Sequence, residues 1–280
     1  MDKKLSLFAI LVLAGAGGLA VVAGPILWIF PQQTAFYFAW TIKHPLTPVF
    51  MGANYFGGIG AVFAILSKRW SVARVLLPGI IVFALTQLAA TLLHIPIFNW
   101  AHPVAWAWLF VYVSSPPAAV LVYFLNERGY RQSAPNELPL PIIYRLGMLA
   151  IAAVSLLVGV ALFAWPALFL VTAGSAVPWW PWSLTPLTAR VIGGWYLAAA
   201  TLQVTLARQR SLKTAWVGLV GLIVVTTLQL TGALRFANAF DGPVISAAFY
   251  LLNAMGVFWF SAVTLLFGSG RRLTAAAPAK

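Results

Sequence analysis

The chain has no cysteine and only four acidic residues among its 280. Without thiols, disulfides, iron–sulfur clusters and thiolate metal sites are all excluded. Asp2, Glu127, Glu137 and Asp241 are the only carboxylates, so general acid–base chemistry has no paired agents. No Ser-His-acid set and no phosphate-binding loop takes their place, so a non-enzymatic protein is expected. Charge of either sign is scarce. Asp, Glu, Lys and Arg make up 8% of the residues, against roughly 25% in an ordinary soluble domain. A soluble fold is thereby excluded.

Apolar residues fill the space, at 62% of the chain. Runs of about 20 uncharged residues recur along it, the length of helix that a bilayer core of roughly 30 Å requires. Eight spans are predicted, near 6–29, 48–66, 75–95, 104–125, 146–171, 189–207, 214–234 and 245–267. The first run follows Lys3 and Lys4 but is too long for a secretory signal, and so reads as a retained helix. Of the 17 Lys and Arg residues, only Lys43, Arg190 and Arg235 fall in loops on one side of this arrangement. The positive-inside rule then makes both termini cytoplasmic, in a bacterial-type plasma (inner) membrane. The net charge of +13 follows from this asymmetry, and no nucleic-acid partner is implied.

The chain also repeats itself. Gly18 to Arg69 lies on Gly159 to Arg210 without a gap. Pro25 falls on Pro166, Pro45-Leu46-Thr47 on Pro186-Leu187-Thr188, Gly52 on Gly193, Tyr55 on Tyr196 and Arg69 on Arg210. Matched punctuation of this kind marks a duplication. Four spans per copy start the second copy on the same side as the first, so the repeats are parallel. The expected fold is an all-α membrane protein of eight transmembrane helices in two parallel four-helix repeats. Residues 1–126 form the first repeat, 127–145 a cytoplasmic linker, 146–272 the second repeat and 273–280 a cytoplasmic tail.

Within each copy, Pro25 or Pro166 is expected to kink or end the first span. The aromatic stretches that follow, Phe36 to Trp40 and Trp179 to Trp182, are expected in the outer interface. Small residues four apart, Ala53/Gly57 and Gly194/Ala198, place the second span of each copy inside the bundle. Ser114-Ser115-Pro116-Pro117 predicts a kinked fourth span, and Asn253 with Gly256 an irregular eighth.

Polar groups in lipid are costly and become candidates for function. Those of the membrane interior are Asn54, Gln87, Gln229 and Asn253. Gln87 and Gln229 occupy corresponding third spans, either as interhelical hydrogen bonds or as amides lining a site between the copies. Gln87, Thr91 and His94 share one helical face, as do Thr227, Thr231 and Arg235, each leading to a basic group at the outer surface. Candidate ligand-binding residues are therefore Asn54, Gln87, Thr91, His94, Gln229, Thr231, Arg235 and Asn253. An Arg235–Asp241 ion pair is the simpler reading of the outermost groups. His44, His94 and His102 could in principle ligate haem, but none has a partner histidine in the second copy. No metal or other cofactor is expected.

Arg190-x-x-Gly193-Gly194-Trp195-Tyr196-Leu197, with the basic turn from Arg208 to Lys213, resembles the start of the second span in DoxX-like bacterial four-helix membrane proteins. The first copy has Val49 where the arginine would stand. The resemblance implies a four-helix unit, duplicated here, and a redox partner in quinol-linked respiration for some members. It transfers no functional residue. Two functions stay open: binding or moving an apolar, lipid-like molecule between the repeats, and a non-catalytic subunit or scaffold of a membrane complex, possibly a respiratory one. Expected partners are membrane lipids and other membrane proteins.

Overall fold

The computed structural model describes residues 2–130, 140–169 and 179–275, with side chains as far as residue 266. The polar middle of the linker and the stretch after Phe169 lie outside the described residues. Eight long helices organise the rest: α1 (Leu7–Ile29), α2 (Leu46–Ser67), α3 (Leu77–Leu93), α4 (Pro103–Glu127), α5 (Ile142–Ala164), α6 (Pro186–Ala207), α7 (Leu212–Arg235) and α8 (Val244–Ala275). No sheet forms among the described residues; Lys4 and Arg69 make an isolated bridge.

Six of these helices, α1, α2, α4, α5, α7 and α8, are long and apolar enough to cross a membrane. The protein is an all-α membrane protein. Helix α3 is apolar but has only 17 residues. Helix α6 has 22 residues yet carries Arg190, Thr201, Gln203 and Thr205. Most of its surface is buried against other helices, so it has little need of a lipid-compatible face.

The helices form an inner and an outer group. Pairs α1–α2, α3–α4, α5–α6 and α7–α8 pack side by side, while α2 meets α7 and α3 meets α6. In α2 and α7, 50% of the most apolar stretch is buried; in α1, α4, α5 and α8 it is 28%. The outer four show the difference to their surroundings as large apolar side chains: Phe110, Leu157, Ile245 and Leu252 are all more than two-thirds exposed. Such a surface is stable only in a non-aqueous medium.

Close crossings hold the pairs. A Cβ on Gly52 would stand 2.7 Å from the Trp28 amide nitrogen and 2.8 Å from the Gly24 carbonyl oxygen. A Cβ on Gly193 would lie 2.9 Å from both the Gly159 carbonyl oxygen and the Phe163 amide nitrogen. Only glycine admits backbone-to-backbone contact of this kind.

Several local expectations are corrected. Pro25 lies inside α1, which continues to Ile29, whereas Pro166 follows the end of α5. The last turn of α1 persists because its carbonyls find outside donors. Arg235 donates from Nη1 to Trp28 and from Nη2 to Ile29, both at 2.9 Å, and the Tyr37 hydroxyl donates to Phe30 at 2.8 Å. Helix α4 continues through Pro116 and Pro117, and α8 through Asn253 and Gly256. A break that the sequence reading did not mark falls at Gly57-Gly58 of α2, where the amides of Gly57, Gly58, Gly60 and Ala61 bond three residues back.

The aromatic stretches do not lie flat at an interface. Phe36 and Trp179 are exposed, but Phe38, Trp40, Trp180 and Trp182 turn inward and are buried. Trp40 packs edge-on to Trp108 at 5.0 Å, and Trp182 packs edge-on to Tyr250 at 5.3 Å. The Trp182 indole donates to Thr47 Oγ1 at 2.9 Å. Burial of these large rings against one another outweighs a place at the surface, although the indole nitrogens of Trp40 and Trp180 find no partner among the described residues. Each copy thus closes one end of the bundle with its own aromatic plug.

Candidate functional site

A cavity of about 710 Å³ runs through the middle of the bundle. It reaches from α1 and α4, between α2, α3, α6 and α7, to Ser155 of α5 and Asn253, Ala254 and Val257 of α8. Its volume falls within the range of small-molecule sites, roughly 300–1,000 Å³. No Lys, Arg, His, Asp or Glu lines it. The aromatic plugs stand at one end. Sideways it opens to the exterior, because Leu11, Val22 and Phe110 line it and are themselves 60%, 60% and 72% exposed. Helices α1 and α4 close on each other through Ala9, Leu13, Ala119 and Val122 and leave this gap nearer the plugs.

Six residues of the cavity wall with polar side chains stand at matching positions along their helices. Tyr55, Tyr112, Ser155, Trp195, Thr226 and Asn253 each stand nine residues from the plug-side end of their own helix, at Leu46, Pro103, Ala164, Pro186, Arg235 and Val244 respectively. At a rise of 1.5 Å per residue this sets a belt about 13 Å below the plugged end. The Tyr55 and Tyr112 hydroxyls bond each other at 2.7 Å, and Thr226 donates to the Leu222 carbonyl at 2.8 Å. The Trp195 ring stacks on Phe83 with centroids 3.8 Å apart and meets Tyr55 edge-on at 5.0 Å. Its Nε1 is buried without a hydrogen-bond partner among the described residues, as are Ser115 Oγ and, deeper in the cavity, Gln203 Oε1. All three atoms are shielded by their own surroundings, as are the indole nitrogens of Trp40 and Trp180 in the plugs.

Of the eight residues that the sequence nominates, three line this cavity: Asn54, Gln229 and Asn253. Asn54 also donates to the Phe50 carbonyl at 2.8 Å. The others lie elsewhere. Gln87 is fully buried and donates to the Val191 carbonyl of α6 at 3.2 Å. Thr91 donates to the Gln87 carbonyl at 2.8 Å and accepts from the Trp108 indole at 2.9 Å. His94 Nε2 accepts from Arg190 at 2.8 Å. Thr231 is exposed and bonds back to Thr227 of its own helix. Arg235 caps α1 rather than pairing with Asp241, whose carboxylate instead bonds Ser183 and lies 3.7 Å from His44.

Gln87 and Gln229 part company for a geometric reason. In the ungapped repeat Gln87 falls on Leu228, not on Gln229. One residue is about 100° of helix rotation, enough to turn one amide into the α3–α6 contact and the other into the cavity.

The histidines do not come together. His44 faces Asp241, His94 faces Arg190, and His102 caps α4 and meets the Phe36 carbonyl at 3.1 Å. Among the described residues no three His, Asp or Glu side chains could share a metal ion. Burial, joined by the positive charge of Arg190, lowers the pKa of His94. Burial also lowers that of His44, against the opposing pull of Asp241.

Sequence reasoning missed Trp195, Gln203, Ser155 and the tyrosine pair. Gln203 was visible as an amide inside an apolar span. The belt could be found only by counting from helix ends that the structure defines. The chain matches no family model, no curated protein and no solved structure.

Proposed function

We propose that the protein crosses the membrane eight times as two parallel four-helix repeats, with both termini cytoplasmic. In this reading it binds an uncharged, lipid-like molecule in its central cavity. Two features support the architecture. The α2–α7 contact is matched by α6–α3, its counterpart with the copies exchanged. The basic residues divide between the two ends of the bundle. Lys3, Arg69 and Arg74 gather with Asp2, Glu127 and the α4 terminus at one end, while Arg190 and Arg235 meet His94 and the α1 terminus at the other. That division matches a cytoplasmic placement of the first end.

The observation that carries the binding reading is the uncharged cavity, open sideways to the surface that faces lipid. An ion would find no counter-charge there. A molecule with an apolar body and one uncharged polar group would fill the space and meet the amides of Asn54, Gln229 and Asn253. It would enter from the bilayer between α1 and α4.

The test is a filled cavity. A Cβ on Gly18 meets nothing within 4 Å, and Gly18 lines the cavity, so Gly18→Phe adds bulk without a backbone collision. Apolar molecules extracted from the purified wild-type protein and identified by mass spectrometry should include a stoichiometric species that the variant lacks, with thermal stability unchanged. Identical extracts from the two proteins would discard the reading.

A further inference from the structure

A second recess of about 680 Å³ lies at the other end of the bundle, away from the aromatic plugs. Arg74, Val75 and Pro78 at the start of α3, together with α6 from Ala200 to Gln209, form its floor. Tyr123 of α4 and Leu149, Ala152, Ala153 and Leu156 of α5 form its sides. Leu149 and Leu156 are about half exposed, so the recess opens on the lipid-facing surface. It is two-part in character. The upper walls are mostly alanine, leucine and valine with Thr201 and Thr205, while Arg74, Arg208 and Gln209 line the end nearest the loops; the Gln209 amide is already bonded to the Thr205 carbonyl and the Thr214 hydroxyl.

Its charge is unbalanced. Three of the four carboxylates of the chain are described: Asp2 pairs with Arg69 and Glu127 with Arg74, while Asp241 lies at the plugged end beside His44. Glu127 accepts from Arg74 Nε at 3.2 Å, and the same guanidinium lies over the Tyr130 ring. Arg208 is exposed at the mouth and has no ion-pair partner among the described residues. An apolar slot between helices ending in uncompensated arginine at the positively charged end is the arrangement that anionic headgroups occupy. We infer that this recess is a binding site for an anionic phospholipid, with the phosphate at Arg208 and one acyl chain along Leu149, Ala153 and Leu156. The arginine fork suits phosphate oxygens, and the slot rejects a free anion because most of its wall is apolar. This site is independent of the central cavity, from which it differs in charge and in lining.

The full-length protein, purified in mild detergent, is incubated with vesicles of equal phosphatidylglycerol and phosphatidylcholine, and the lipid retained is measured by native mass spectrometry. Phosphatidylglycerol should be enriched, and Arg208→Gln should reduce the enrichment about fivefold. Ala153→Phe changes an exposed position of the wall and should abolish retention at this site for both lipids. Gly18→Phe should leave the enrichment unchanged, which separates failure here from failure of the central cavity. Equal retention of the two lipids, or a preference that survives both Arg208→Gln and Ala153→Phe, would overturn the inference. So would full occupancy by inorganic phosphate alone.

Discussion

The two contacts that join the repeats are built differently. Where α2 meets α7, backbone lies against backbone: a Cβ on Gly60 would stand 2.9 Å from the Val217 carbonyl oxygen, and one on Gly221 would stand 3.1 Å from that of Gly57. Where α3 meets α6, polar side chains span the gap, Gln87 to the Val191 carbonyl and Arg190 to His94. In the proposed repeat architecture these are equivalent joints, built in two ways. The glycine joint depends on shape alone and is indifferent to pH and salt. The polar joint depends on one imidazole remaining neutral, because a protonated ring cannot accept from arginine. The repeat positions show the divergence directly. His94 and Arg235 correspond in the alignment of the copies, yet one accepts from a neighbouring arginine and the other donates to a helix end.

The largest effect should come from the glycine joint. Gly60→Leu forces a side chain against the Val217 backbone, which cannot yield as a side chain would. A loss of about 1–3 kcal/mol is expected, read as a lower unfolding midpoint in detergent. An unchanged midpoint would mean that α2 and α7 do not touch there.

The polar joint should give a smaller and pH-dependent effect. The folded pKa of His94 is depressed below its ordinary 6.5. The unfolded chain therefore binds the proton first, and stability present above that value declines as the pH falls below it. The Arg190→Ala variant lacks both the bond and the repelling charge, so its midpoint should fall less steeply between pH 7.5 and 5.5 (values chosen to bracket roughly the ordinary histidine pKa). Parallel pH curves for the two proteins would count against a His94–Arg190 contact.

Much of the fold was legible because lipid imposes a simple code. Apolar length marked the helices, and proline, glycine and arginine in a fixed register marked the duplication. The places where sequence reading failed are those that depend on a few tens of degrees of rotation or on tertiary donors. Pro25 reads as a kink or a helix end, and what the sequence does not reveal is that the Arg235 guanidinium, some two hundred residues away in the chain, bonds the last carbonyls of α1. The tryptophans after each first helix read as interface anchors, and their burial follows from the space between helices that composition does not reveal. The site was half legible. Asn54, Gln229 and Asn253 announced themselves as amides in apolar runs. Trp195 and Tyr55 look like ordinary membrane aromatics until their common depth and the unpaired indole nitrogen are seen.

The central claim is that the uncharged cavity holds a molecule from the bilayer. A high-resolution density map of the protein purified from its own membrane tests it most directly. The account predicts one elongated, non-protein density that enters between α1 and α4 and reaches the cavity wall formed by Asn54, Gln229 and Asn253. A cavity closed by side chains, or holding only separate waters, would contradict it.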